Sequence, residues 1–217
     1  MADLRAGITS EEGRSTIADL SNFATGGATL RAARGNWKRA AFLDQQGGDR
    51  GAFADEILLA QGRASACAFC QALPEAQVVG IDSLPRAIEL AAATVASHGL
   101  AERVQLRHQG VQELKDDEAF DLAWLPLPFI PPAAVREGLP RVLRALRPGG
   151  WLLLPAAAVE PGASGEIARW QVHVFGGTVL SDHERTELLR AAGFQSPIPV
   201  STPPGSLPPL LAARRPR

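Results

Sequence analysis

One carboxylate closes the clearest strand pattern in this sequence. Gln77-Val78-Val79-Gly80-Ile81 runs into Asp82, with Ser83 next. Continuous apolar runs of this length suit parallel strands covered on both faces. In open sheets of such strands, ligands bind beyond the carboxyl ends. Asp82 is therefore a candidate ligand acceptor. Its other reading is that it opens the following helix together with Ser83 as cap. Four histidines offer a base. His173 lies in a polar–apolar stretch after residue 154, His183 falls in a capping box, His98 ends a helix pattern and His108 ends a strand pattern. Cys67 and Cys70 form a C-x-x-C flanked by Ala64, Ala66, Ala68 and Phe69. That places them inside a helix pattern, not at a helix start where the dipole would lower a thiol pKa. No second pair completes a metal site, so no metal is expected and a buried helix face is the reading. Trp124, Phe129 and Trp170 either line an apolar pocket or serve as core and cover.

The elements that would position these groups alternate from residue 57 onward. A helix covers Ala64 to Leu73, and the strand ending at Asp82 follows. A helix carrying Ile88, Leu90, Ala91 and Val95 stops at Gly99. Val104 to His108 and Phe120 to Leu125 read as strands. A proline-rich turn, Pro126 to Pro132, leads to a helix with Val135, Leu139, Val142 and Leu146 on one face. Pro148-Gly149-Gly150 breaks it before the strand Trp151–Leu154. Ser181 and Glu184 form a capping box for a helix that ends at Gly193. Two further strands fall near Ile198–Val200 and Leu210–Ala213, and the prolines around them assign both to an edge or to loop. This alternation predicts an α/β protein with a mostly parallel central sheet and helices on both faces. Residues 1–55 read as a helical extension without a strand, and residues 56–217 as the α/β domain.

Four segments in this order resemble class I S-adenosylmethionine-dependent methyltransferases with a Rossmann-like fold, over about residues 57–215. Gln77–Asp82 looks like the family's second strand with its terminal acid. Phe120–Pro126 looks like the fourth. Leu143-Arg144-Ala145-Leu146-Arg147-Pro148-Gly149-Gly150 before Trp151–Leu154 is similar to the family's L-x-x-L-x-P-G-G and fifth strand. Leu188–Phe194 resembles the last helix and its exit. The resemblance implies S-adenosylmethionine as cofactor, with Asp82 accepting its ribose hydroxyls and Ser83 beside it. It also implies a D-x-G-x-G-x-G loop, whose glycines let backbone approach the cofactor closely. Spacing back from Asp82 places that loop at residues 57–65, where Gly62 stands alone. The alternative, residues 44–51, has Asp44 and three glycines but lies roughly ten residues further from Asp82 than the family spacing. After the third strand the family often has Gly-Asp, the acid accepting from the adenine amino group. Here Arg107-His108-Gln109-Gly110-Val111 follows, so Gln109 and Val111 become the adenine-side candidates. In this fold substrate loops sit between the fifth strand and the last helix, which makes His173 the candidate catalytic base.

Composition limits the partners. The net charge of -1 carries no basic face for nucleic acid. The basic tail Arg214-Arg215-Pro216-Arg217 reads as a solvated end. No apolar run approaches the roughly 20 residues of a membrane span, and the N-terminus lacks a signal-peptide layout, so a cytoplasmic protein is expected. The leading expectation is methyl transfer to a small, largely uncharged molecule, with secondary metabolism as its setting. The thinned glycine loop motivates a second: a methyltransferase fold that now acts as a cyclase or isomerase. The distinct residues 1–55 motivate a third: a non-catalytic partner or homodimer.

Overall fold

The computed structural model describes residues 70, 73, 75–155, 162–174, 176–200 and 210–217. The 1–55 extension, both candidate glycine loops with Gly62, and Cys67 lie outside the described residues. Two compact units divide the described chain between Gln109 and Gly110, and residues 210–217 belong to the second.

In the first unit, β1 (Val78–Asp82) and β2 (Val104–His108) flank α1 (Pro85–Ser97) in sequence. The strands pair in parallel, with Val78 opposite Val104 and Asp82 opposite His108. Buried Cys70, Val95 and Val104 pack together with Val78, Leu100 and Leu106, so Cys70 serves as a small apolar core group. The Arg103 guanidinium ties this unit by donating to the carbonyls of Cys70, Leu73 and Ala76 at 3.2, 2.8 and 3.0 Å. Ser83 is not the helix cap. Pro85 occupies the first helical turn with its φ already fixed, and the residue before it must be extended. The cap position therefore falls on Leu84, at φ -101° and ψ 116°, with no side-chain capping bond.

The second unit holds β3 (Phe120–Trp124), α2 (Pro132–Ala145), β4 (Leu146–Pro155), α3 (Ala163–Val174), α4 (Asp182–Ala191), β5 (Gln195–Val200) and β6 (Leu210–Arg214). Short 3-10 turns stand at Val111–Glu113 and Leu127–Phe129. The sheet order is β3-β4-β6-β5. β3 and β4 are parallel, whereas β6 runs antiparallel to both of its neighbours. The expected stripe is in place on α2, with Val135, Leu139 and Val142 buried. Leu146 is buried too, but it already opens β4, which passes through Pro148-Gly149-Gly150. The register jumps there, from Phe120 opposite Leu146 to Leu122 opposite Trp151, and Gly149 takes the left-handed φ of 79° that such a bulge requires.

Two readings of the C-terminal region need correction. Edge placement holds for β5, which contains Pro197 and Pro199, but β6 is an interior strand. Its Leu210–Ala213 segment is proline-free, buried and paired on both sides. Nor is the basic tail a solvated end. Arg214 Nε donates to the Gly149 carbonyl at 2.9 Å, and its guanidinium sits 5.6 Å from the Trp151 ring centroid. Arg215 donates to the carbonyls of Arg144 and Leu146 and to Glu118 Oε1.

The capping box at α4 is formed as expected. Ser181 Oγ accepts from the Glu184 N–H at 3.2 Å, and Glu184 Oε2 accepts from the Ser181 N–H at 2.8 Å. The Ser181 hydroxyl also donates to Glu184 Oε2 at 2.7 Å, and this bond, followed by the one from the Ser181 N–H, holds the Glu184 carboxyl below its ordinary value of 4.5. A depressed carboxyl contributes stability above its unfolded pKa and loses it as pH falls through the folded one. Urea unfolding is therefore expected to show Glu184→Gln less stable than the parent at pH 6. The gap should close progressively below pH 4.5; an equal gap at pH 3 would contradict the assignment.

Candidate functional site

The carboxyl ends of β1 and β2 bring two of the expected site residues together. Asp82 ends β1, half-buried, and its Oδ1 accepts from the Leu84 N–H at 2.9 Å. The carboxylate thus spans the strand-to-helix corner and is oriented by it. Gln109 is the first residue past β2. Its N–H donates to the Asp82 carbonyl at 3.0 Å and to the Arg107 carbonyl at 3.1 Å. Asp82 and Gln109, 27 positions apart by their numbers, are therefore joined directly through the backbone. The Gln109 amide nitrogen Nε2 is buried and has no hydrogen-bond partner. Ser83 is exposed beside them, and its carbonyl lies 3.2 Å from His108 Nε2. His108 is thus engaged at the strand end.

Asp82 and Gln109 offer a nucleoside two complementary features. A charged carboxylate suits vicinal hydroxyls, and an amide suits a base edge, since it both donates and accepts. A buried donor with nothing to bind is costly, so an acceptor brought to it gains that cost back.

The remaining candidates fall in the second unit. Val111 is buried, and its side chain packs where Gly138 of α2 leaves room: a Cβ on Gly138 would meet Val111 Cγ1 at 2.7 Å. What Val111 can present to a ligand is therefore backbone. His173 stands on α3, not in a loop or strand; it is exposed between buried Val172 and Val174. The same helix exposes Ile167 and Trp170, 57% and 40% accessible. Trp124 and Phe129 are half-buried at and beyond the end of β3.

Sequence reasoning missed two residues at the carboxyl ends of β3 and β4. Thr178, buried, donates its N–H to the Leu127 carbonyl at 2.9 Å and its hydroxyl to the Ile130 carbonyl at 2.7 Å. It fixes the loop that leaves β3. Arg185, also buried, donates to the Leu154 carbonyl at the end of β4 and pairs with Asp182. An isolated threonine gives no sequence signal. The spacing of Asp182 and Arg185 did give one, though it reads as an ordinary surface pair. Among the described residues no three His, Cys, Asp or Glu side chains cluster as metal ligands, and no helix is long and apolar enough to cross a membrane.

Parallel strands with crossover helices, a proline-glycine-glycine bulge and a terminal antiparallel pair define a Rossmann-like class I methyltransferase fold. Comparison with known proteins agrees. Residues 59–150 match the family described as "Methyltransferase domain". A release factor glutamine methyltransferase of Geobacter sulfurreducens is 37% identical over 100 residues, which is 46% of this chain and 32% of that protein. The apo structure of the S-adenosylmethionine-dependent methyltransferase SibL superposes with a TM-score of 0.60 at 26% identity, covering 72% of this chain and 48% of SibL. The [4+2]-cyclase SpnF shares the fold at a TM-score of 0.51 and 21% identity, over 80% of this chain and 77% of SpnF. The matched part of this chain is similar to class I S-adenosylmethionine-dependent methyltransferases. The chain spans about a third of the curated relative's length and about half of SibL's. The matched stretch begins at residue 59, so it includes Gly62 and leaves residues 44–51 outside.

Proposed function

We propose that this chain binds S-adenosylmethionine and transfers its methyl group to a small, largely uncharged acceptor. The observation that carries the reading is the pairing of Asp82 with Gln109 at adjoining strand ends. The cofactor would supply an activated methyl on a sulfonium, so the chain's task is to bind, orient and exclude water. Asp82 accepts from the ribose hydroxyls, with Ser83 beside it, and Gln109 meets the adenine edge. Val111 contributes backbone. Gly62, inside the matched stretch, lets the chain pass close to the cofactor. On the acceptor side, His173 takes the acceptor proton, and Ile167 and Trp170 on the same helix give apolar contact. The net charge of -1 favours an uncharged acceptor over nucleic acid. A cytoplasmic setting and a role in secondary metabolism belong to the same proposal.

Isothermal titration with S-adenosylhomocysteine tests it. Asp82→Asn keeps an oxygen for the Leu84 N–H and removes the charge. It is expected to weaken binding about tenfold with the melting temperature unchanged, since hydrogen bonds to charged groups are the stronger ones. Unaltered affinity in Asp82→Asn, or no binding to the folded parent, would sink the reading.

A further inference from the structure

We propose that Gln109 makes the nucleoside site tolerant of both an amino and an oxo group at the purine 6-position. This rests on the cofactor reading above. Gln109 is placed for the role by its backbone bond to Asp82, 3.0 Å, which sets its side chain one residue beyond the end of β2. Its Nε2 is buried and makes no hydrogen bond, so turning the amide towards a ligand breaks none at that atom.

The chemistry follows from the amide. A carboxylate at this position only accepts. It can take one hydrogen bond from an exocyclic amino group or from an N1–H, and it repels the acceptor beside either. A primary amide carries an acceptor and a donor side by side. Against adenine, Oε1 accepts from the 6-amino group while Nε2 donates to a neighbouring ring nitrogen, the pairing by which glutamine reads adenine elsewhere. Against hypoxanthine the same edge is reversed, with an oxo acceptor beside an N1–H donor. A half-turn of the amide reverses Gln109 to match, and the two orientations have the same shape. Gln109 thus meets either base with both hydrogen bonds made. Glutamate, its isostere, makes only one of the two bonds to either base and faces a second acceptor in both.

The test is titration of the full chain with S-adenosylhomocysteine and, separately, S-inosylhomocysteine. For the parent, the two dissociation constants are expected to agree within about fivefold, because neither base leaves a polar group unpaired. In Gln109→Glu both compounds should weaken by about tenfold, because the carboxylate makes one hydrogen bond to each base and faces a second acceptor in both. Gln109→Ala should weaken both ligands and leave their ratio near the parent's. A parent that already rejects the inosyl compound by about fiftyfold overturns the inference, and so does unchanged affinity for both compounds in a folded Gln109→Glu. Should the glutamate variant fail to fold, the parent ratio and the alanine variant still decide. Absence of binding by either ligand overturns the cofactor reading itself, and that outcome is distinct from adenosyl binding without inosyl binding.

Discussion

Replacing Asp182 by alanine is expected to cost this protein about 2–3 kcal/mol, although its side chain is 75% exposed. The reason lies in its partner. Arg185 is 1% exposed, and its guanidinium donates to Asp182 and, at 3.4 Å, to the Leu154 carbonyl. Taking away the carboxylate removes one partner of a buried guanidinium, and breaking a fully buried pair this way costs about 3–5 kcal/mol. Water reaches the Asp182 side and screens the pair, so the lower figure applies. For a chain of this length the melting temperature should fall by roughly 4–12 °C. Arg185→Met should stay within about 1 kcal/mol of the parent, because a long unbranched side chain fills the same space without a charge to solvate. The double variant should recover what Asp182→Ala loses. Calorimetry on the four proteins checks this. If the single and double variants melt together, the guanidinium is neutralised elsewhere.

Gly177→Ala is expected to be at least as damaging, about 3 kcal/mol in urea unfolding, by overpacking. An ideal Cβ there would lie 1.9 Å from the Pro128 carbonyl oxygen and 2.3 Å from its carbon. Both atoms are backbone, so no rotamer change relieves the clash. The chain cannot simply move aside, because both flanks are tied. The Gly177 N–H donates to the Val172 carbonyl at 3.0 Å, and Thr178 holds the Leu127 and Ile130 carbonyls. The methyl must push the loop after β3 away from its hydroxyl anchor. Loss of the Thr178 bonds, seen as faster amide exchange at Thr178, should accompany the destabilisation. A variant as stable as the parent would mean that the loop yields more readily than its bonding suggests.

How far these features were legible depends on the range of the interactions behind them. The capping box of Ser181 and Glu184 and the stripe on α2 up to Val142 are written in neighbouring residues, and they read correctly, whereas Leu146 was read as helix and Pro148-Gly149-Gly150 as its break, and all four lie within β4. The helix start at Leu84 was misplaced by one residue because Ser83 is the better capping type, while Pro85 fixes the geometry. α3 went unread as a helix although Ile167, Trp170 and Val174 recur at helical spacing. β6 was assigned to an edge or loop because prolines crowd around it, yet pairing on both sides outweighs propensity. Asp82 was recognisable as a strand-end acid, but its junction with Gln109 comes from the parallel register of two strands. No local pattern states which residues that register aligns. Arg185 and Thr178 likewise matter through carbonyls 31 and 48 residues away in sequence.

The sheet order has a consequence for the nascent chain. Among the described strands, β5 touches only β6, and β6 also separates it from β4. β5 therefore leaves the ribosome before the strand it must pair with has been made. Until Leu210–Arg214 emerges, the exposed side of β4 has no cover and β5 has no ladder to join. Unpaired edges of this kind recruit other chains. A stalled or shortened translation product ending near residue 200 would present both at once. Such products should be preferred clients of ribosome-associated chaperones, whereas ones extended through Arg214 should close the sheet and escape them.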